Sequence, residues 1–490
     1  MNEMTFLKKG QREKAYDLLF CLSVVVFSFF YYASSLTHGF YIDDPIWLYL
    51  GKQFLANGNF SSFPYYYRPL VTVSFAIQYL FFGTHYLYYH IFNVILFSLG
   101  TCLLFVLCKI IFRDRLVASL VAGLSVLNPL NFEKVNYIGM QSYLWQSVFY
   151  AVTFIGFVLY YKKSNIYYFL LYHAAFAGAL WINETGTMLV PLLAILYLSL
   201  LQDSSSRFEW KKTLKYFLGV FLIFSLYAYI YAFRVYPKYL FFQQHGPIMS
   251  LEKLADLFDF LAIKLSYVLF SLPGGKSLFE IGPVSYLVVV IFLSLLVLAS
   301  WRLKWVILLC ILPVLPSYFS PNKFHWLASH IPVSSLGAWM LLGCGIKNYF
   351  SFIDRCSSKR LKSILCASGI LCFVFMMISY VNLEKTMGMR HIRQSDKYLY
   401  YVDIVKKRWP EISGSLEVYF VDGSSLIHVN PEGDFRYKGR KGGDLDFSYL
   451  SFLYHLKLLY NNENIQGFAV SEKDVSALSR RKNSVILKID

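Results

Sequence analysis

Long apolar runs separated by short polar turns set the plan of this chain. A helix that crosses a bilayer needs about 20 mostly apolar residues. Such runs predict spans at Tyr16–Leu36, Tyr86–Phe112, Leu116–Leu130, Gln141–Tyr161, Asn165–Ile182, Thr185–Leu201, Thr213–Ala232, Pro283–Ser300, Leu303–Phe319, Ile331–Ile346 and Ser363–Val381, about eleven in all. The basic start "MNEMTFLKKGQREK" leads into a run that is long for a cleaved leader and lacks a small-residue cleavage site, so the first run reads as a retained span.

The turns carry a second pattern. Lys8, Lys9, Arg12 and Lys14 precede the first span, Arg113 and Arg115 follow the second, and Lys162 and Lys163 follow the fourth. "RFEWKKTLK", Arg302 with Lys304, and "DRCSSKRLK" follow the sixth, eighth and tenth. If every run crosses, all these turns share one side, which the excess of basic residues assigns to the cytoplasm. The loops between them, and the C-terminal tail, then lie on the far side.

Three far-side segments are long. Thr37 to His85 holds "YYYRPLVTVSFAIQYLFFG", apolar but short and bounded by Pro69 and Gly83, which predicts an interfacial helix. Phe233 to Ile281 holds "LEKLADLFDFLAIKLSYVLFSL", whose charges recur at helical spacing and predict another. From Asn382 the pattern changes to that of a soluble module: a helix in "QSDKYLYYVDIVKKRW", a strand in "SLEVYFVDG", and a Gly-rich loop region. The expected division is therefore a membrane domain over 1–381 and a small α/β extracytoplasmic module over 382–490.

Composition agrees with this plan. The 490 residues are 57% hydrophobic and 15% charged, against roughly a quarter charged in soluble domains. The net charge of +17 resides largely in the cytoplasmic turns, so it does not signal nucleic acid. Eight cysteines are scattered through apolar runs with no CxxC or Cys/His spacing, which gives no disulfide or metal framework. No internal repeat and no pair of broken hydrophobic halves marks a secondary transporter. Apart from His173 the span middles hold almost no ionisable residue, against a channel or transporter.

The candidate chemistry lies in the far-side loops. "GFYIDDPIWLYL" sets Asp43 and Asp44 side by side just past the first span. Pro45 suits a first helical position and makes Asp44 a natural N-cap, but a cap needs only one acid. Glu133 and Lys134, in "FEKVNYIG", read on their own as a solvated loop pair. Glu184, in "WINETG", is pinned in a very short turn on the same side. Several acids on one face can share a divalent cation such as Mg or Mn, or one can act as a base. Arg68, His90, Lys276, Lys323, His325 and His330 fall on that face too. Each alone reads as an interface anchor; together they suit a phosphorylated lipid headgroup. The aromatic run "FPYYYR" reads mainly as interfacial belt.

A span, an outer-loop "IDD" and then "YYYRPLVTVSFAIQYLFFGTHYLYYHIFNVILFSLG" together resemble the GT-C glycosyltransferases, in particular protein O-mannosyltransferases and the membrane parts of the tetratricopeptide-repeat mannosyltransferases. The matching positions are Asp43 and Asp44, the Tyr67-Arg68-Pro69-Leu70 segment, Gly83, and His90 with Asn93. "LNPLNFEKVNYIGMQSYL" is similar to the family's second outer loop, with Asn128 in place of its His; "WINETGTMLVP" resembles a "KE-G" turn, with Asn183 in place of Lys. "NKFHWLASHIP" stands where the family has an Arg-containing segment, and no Arg is present here. The resemblance covers roughly the first two hundred residues by motif and the rest only by topology.

The resemblance implies transfer of a monosaccharide from a polyprenyl-phosphate donor to an extracytoplasmic acceptor: a protein, a lipid-linked glycan or an envelope glycolipid. It implies an inverting displacement, with Asp43 as base, Asp44 as its partner, Glu133 and Glu184 near the acceptor or a cation, and Arg68, His90 and the Lys/His group offsetting phosphate. The expected place is a prokaryotic plasma membrane. The rival expectation is a lipid-linked polysaccharide polymerase, ligase or flippase-type protein, which would rely more on outer-loop Arg and need no acidic pair in its first loop.

Overall fold

A computed structural model describes residues 3–40, 44–58, 60, 67–128, 130–204, 209–235, 261, 290, 294, 301–314, 332–356, 358–411, 416–422, 428–429, 435–436, 449–461, 464–470 and 484–489. The chain is an α-helical membrane protein. Five helical stretches are long and apolar enough to cross a bilayer: Gln11–Tyr31, Tyr86–Phe112, Ile138–Lys163, Glu184–Gln202 and Trp210–Phe233. Pro69–Phe82, Arg115–Leu127 and Ile166–Ile182 are apolar but shorter.

In chain order the elements are α1 (Glu3–Tyr31), α2 (Asp44–Asn57), α3 (Pro69–Phe82), α4 (Tyr86–Phe112), α5 (Arg115–Leu127), α6 (Leu130–Asn136), α7 (Gln141–Lys163), α8 (Ile166–Ile182), α9 (Leu189–Asp203) and α10 (Trp210–Ile230). Helices Trp301–Ile311, Pro332–Arg355 and Lys359–Arg408 follow. α4 and α7 are the inner staves. Phe105, Cys108, Phe154 and Phe157 are fully buried between α5, α8, α9 and the Trp301–Ile311 and Pro332–Arg355 helices. α1 and α10 lie outside them and present Leu18, Leu22, Phe30, Phe221, Leu222 and Leu226 outward, the surface expected toward lipid.

The predicted third span, Leu116–Leu130, is α5 and ends three residues early. Pro129 restricts the residue before it to extended backbone, and α5 ends at Leu127 with Asn128 at φ −67°, ψ 119°. α5 is 13 residues, about 20 Å at the helical rise. The predicted helix of the first outer loop is α3, and it packs on α2, with Trp47 stacked on Phe75 at 6.1 Å. Of the predicted Leu303–Phe319 span the described part ends in a 3-10 turn at Leu312–Val314. The Pro283–Ser300 span, nearly all of it, and the second interfacial helix fall outside the described residues.

The predicted eleventh span and the predicted tail helix are one continuous helix of 50 residues, Lys359–Arg408, so the expected division at 381/382 falls inside it. Beyond it, β1 (Leu416–Asp422), β4 (Ile465–Val470) and β5 (Ser484–Ile489) form a parallel sheet in the order β4-β1-β5. β2 (His428–Val429) and β3 (Phe435–Arg436) pair antiparallel. The Tyr449–Tyr460 helix precedes β4 and packs on α2: Leu458 joins the cluster of Phe40, Ile46 and Trp47, and Tyr454 meets Tyr49 at 4.6 Å. Lys52 Nζ donates to Asn461 Oδ1 at 2.7 Å across the same seam.

Two polar ends bracket the bundle. At one, Arg115 pairs with Glu13 at 2.8 Å and Asp17 at 3.3 Å, Lys109 pairs with Asp17, and Lys347 Nζ caps α4 on the Phe112 carbonyl at 2.8 Å. At the other lie the loops that carry the candidate site.

Candidate functional site

The site is built where α2, α3, α4 and α7 end together. Asp44 opens α2 and its side chain is 0% exposed. Its Oδ1 accepts the backbone N–H of Gly139, 2.6 Å away and 95 residues along the chain. A bond this short from a carboxylate is charge-assisted. The sequence made Asp44 a natural N-cap; the structure uses its carboxylate across the fold, tying the first outer loop to the 3-10 turn Ile138–Met140. Space at Gly139 is tight: a Cβ there would sit 3.0 Å from the Tyr137 ring, which would have to shift.

A layer of buried amides fixes that turn. Asn93 Nδ2 on α4 donates to the carbonyls of Val135 (3.2 Å) and Tyr137 (3.4 Å), and its Oδ1 accepts from Gln141 Nε2 at 2.9 Å. Gln141 and Gln78 exchange hydrogen bonds at 2.7 and 3.0 Å, joining α7 to α3. Ser74 Oγ donates to Gln141 Oε1 at 3.2 Å and accepts from Trp145 Nε1 at 3.1 Å. Every member has a partner, so the layer stiffens the end of the bundle rather than destabilising it. Gln78 and Gln141 were missed as functional positions in the sequence. Their signal is an amide inside the apolar runs "SFAIQYLFF" and "MQSYLW", where only a partner makes burial tolerable.

Arg68 and Glu184 come together. Arg68 precedes α3 and is 7% exposed; Glu184 opens the 3-10 turn after α8 and is 24% exposed. The guanidinium grips the carboxylate through Nη2 at 2.9 Å and Nε at 3.1 and 3.2 Å. Its Nη1 reaches Ser142 Oγ at 3.5 Å, and its carbon lies 5.6 Å from the Tyr143 ring. The Glu184 turn is set by Asn183 Oδ1, which accepts from Thr185 N at 3.1 Å, and by Tyr150 OH, which donates to the Thr185 carbonyl at 2.6 Å. Arg68 is thus engaged by an acid the sequence had placed near an acceptor, and the two charges offset each other.

His90 is 0% exposed, with Nε2 3.1 Å from the His38 carbonyl and its ring edge-on to His38. It braces the entry to α2 from inside. Glu133 lies on α6, whose neighbour Lys134 is 3% exposed and not a solvated loop charge. The chain folds it inward because α6 is wedged between α4 and α7. Asp43, Lys276, Lys323, His325 and His330 lie outside the described residues, as does the Glu133 side chain. Among the described residues no three His, Cys, Asp or Glu side chains gather to hold a cation.

No family model and no curated protein matches this chain. The reading of the site rests on its residues.

Proposed function

We propose that this protein is a GT-C-type membrane glycosyltransferase with about eleven spans, moving a monosaccharide from a polyprenyl-phosphate donor to an acceptor hydroxyl on the extracytoplasmic side of a prokaryotic plasma membrane. The observation that carries the reading is Asp44. A carboxylate fully withdrawn from solvent and hydrogen-bonded across 95 residues to the backbone of the second outer loop is held at one fixed place in the fold. Its neighbour Asp43 shares that loop. Further support comes from the two ends of the bundle, one basic and one built of acids, amides and imidazoles.

In this reading Asp43 takes the proton of the acceptor hydroxyl. The acceptor oxygen bonds to the anomeric carbon, the bond from that carbon to the phosphate oxygen breaks, and the lipid phosphate leaves with the electron pair on the opposite face. A positioned base supplies about 10²–10⁴-fold. Asp44 holds the loop and, through Gly139, sets the distance between the first and second outer loops. Arg68 is held by Glu184, and the pair stands near the site as a fixed dipole. The donor's tail remains in hydrocarbon and approaches laterally.

The test is transfer from a radiolabelled polyprenyl-phosphate sugar by purified Asp43→Asn and Asp44→Asn variants. Asp43→Asn removes the base and lowers transfer by 10²-fold or more, while Asn at position 44 keeps an acceptor oxygen for Gly139 but loses the carboxylate charge beside the base, so folding and insertion stay normal and transfer falls by a smaller factor. Full transfer in both variants overturns the reading.

A further inference from the structure

Three helix ends converge at the basic end of the bundle. The last turns of α4, α7 and α9, with Trp305 of the Trp301–Ile311 helix, line an open pocket of about 250 Å³. Its lining is graded along the helix axes. Arg113, Lys162 and Ser204 stand at or just past the helix ends, whereas Val158 and Leu196 lie one to two turns further in.

Most cations described at this end already have partners. Arg115 pairs with Glu13 and Asp17, Lys109 with Asp17, Lys212 with Glu209, and Lys347 caps the Phe112 carbonyl. Arg113 differs. It closes α4 in a left-handed backbone, φ 54°, is exposed, and makes no ion pair among the described residues. One turn inward from Ser204, Ser199 is 4% exposed, lines the pocket, and donates its hydroxyl proton to no acceptor among the described residues. A hydroxyl withdrawn from water without a partner is unfavourable, so an acceptor brought into the pocket gains from it. Carbonyls at all three helix ends are capped: Phe112 by Lys347 Nζ at 2.8 Å, Tyr160 by Ser164 N–H at 2.8 Å, and Leu200 by Ser204 Oγ at 2.9 Å. Capping tempers the negative ends of the three helix dipoles and leaves the full charges of Arg113 and Lys162 to act outward.

Cations at the rim, a hydroxyl donor below them and apolar walls deeper in are the complement of an anionic amphiphile. A free phosphate would leave the apolar walls unused, and an acyl chain alone would leave Arg113 and Ser199 unmatched. A guanidinium grips phosphate oxygens in a fork, and basic pockets between spans on the cytoplasmic side suit acidic headgroups. A zwitterionic headgroup would bring its own cation against Arg113 and Lys162. We propose that this pocket binds one anionic phospholipid of the cytoplasmic leaflet. Arg113 and Lys162 hold its phosphodiester, the Ser199 hydroxyl donates to an ester carbonyl, and an acyl chain lies against Val158 and Leu196. The site lies at the opposite end of the bundle from Asp44 and is independent of the transferase reading.

The experiment is native mass spectrometry of the purified full-length protein in a neutral detergent, titrated with dioleoylphosphatidylglycerol or dioleoylphosphatidylcholine. The wild type retains one phosphatidylglycerol at a lower concentration than phosphatidylcholine, and excess inorganic phosphate does not displace it. Arg113→Gln with Lys162→Gln weakens phosphatidylglycerol binding about 25-fold, since each basic residue near an acidic headgroup contributes about fivefold. Lys359→Gln with Arg360→Gln removes the same charge from exposed positions outside the pocket and leaves binding unchanged. Ser199→Leu fills the pocket and removes the bound lipid. Equal retention of the two lipids overturns the proposal, and so does equal weakening by the two double variants, which would mean that the lipid reads surface charge in general. Displacement by phosphate would reveal an anion site without a lipid and overturns it too. If the pocket variants do not accumulate, the wild type and the Lys359/Arg360 control decide: a lipid preference absent from the first or lost in the second overturns the proposal.

Discussion

At the scale of single residues, the Arg68–Glu184 pair makes a sharp energetic prediction. Removing one partner of a buried pair costs about 3–5 kcal/mol, while replacing both by apolar groups is often close to neutral. Glu184 keeps some contact with solvent, so Arg68→Ala should cost about 3 kcal/mol, at the low end. Arg68→Met combined with Glu184→Leu should recover most of it. Unfolding in a double-mutant cycle reads the coupling, and a coupling near zero would mean that the pair is solvated. Lys134 gives a second test through linkage. Its folded value, about 7, lies below that of the unfolded chain, near 10.4. The unfolded state therefore binds more protons between those values, and stability should rise with pH across that window and flatten below 7. Lys134→Met should abolish that slope. Individual residues were the least legible scale. The sequence marks Asp44, Arg68 and Glu184 as unusual, but which charge meets which depends on loops 116 residues apart converging. Lys134 in "FEKVN" looks solvated because nothing local reveals that a seven-residue helix will be enclosed on several sides.

At the scale of elements, α2 is positioned by a contact that only glycine permits. A Cβ at Gly51 would lie 2.7 Å from the Ala76 nitrogen and the Phe75 carbonyl carbon, both backbone atoms of α3 that cannot rotate away. Gly51→Ala should push α2 off α3, cost about 1–3 kcal/mol as overpacking does, and shift Asp44 with it. Gly123→Ala is the matched control: nothing lies within 4 Å of that Cβ, so no loss is expected. Thermal midpoints of the two variants should differ by several degrees, and equal midpoints would refute the tight α2–α3 seam. Elements were the most legible scale where the apolar run was long and uninterrupted, as in Tyr86–Phe112, whose observed bounds are those read from the sequence. Legibility failed at Pro129, where the predicted span overran a helix that ends at Leu127, and in the first outer loop, where the partner helix α2 that packs on α3 was not read from the sequence.

At the scale of the whole molecule, the basic end and the acid-and-amide end imply a direction across the membrane. Cys356 lies in the basic turn after Arg355. A membrane-impermeant maleimide should leave it unlabelled in intact cells and label it in inverted vesicles; the opposite pattern would turn the protein over and move the acids into the cytoplasm. The Lys359–Arg408 helix joins these two ends. Near its start Leu365 accepts a hydrogen bond from Tyr349 OH at 2.5 Å, and near its end Leu399 sits where a Cβ on Gly39 would be only 2.6 Å away. An unbroken helix transmits angle as well as length: each residue turns it by about 100° and advances it by about 1.5 Å. One alanine inserted midway would swing Leu399 away from the first outer loop, whereas a pair of inserted turns, seven residues, would nearly restore its heading while moving it about 10 Å along the axis. The protein therefore carries a rigid shaft whose phase, fixed on one membrane face, dictates which side of the C-terminal segment is offered to the loop of Asp44 on the other.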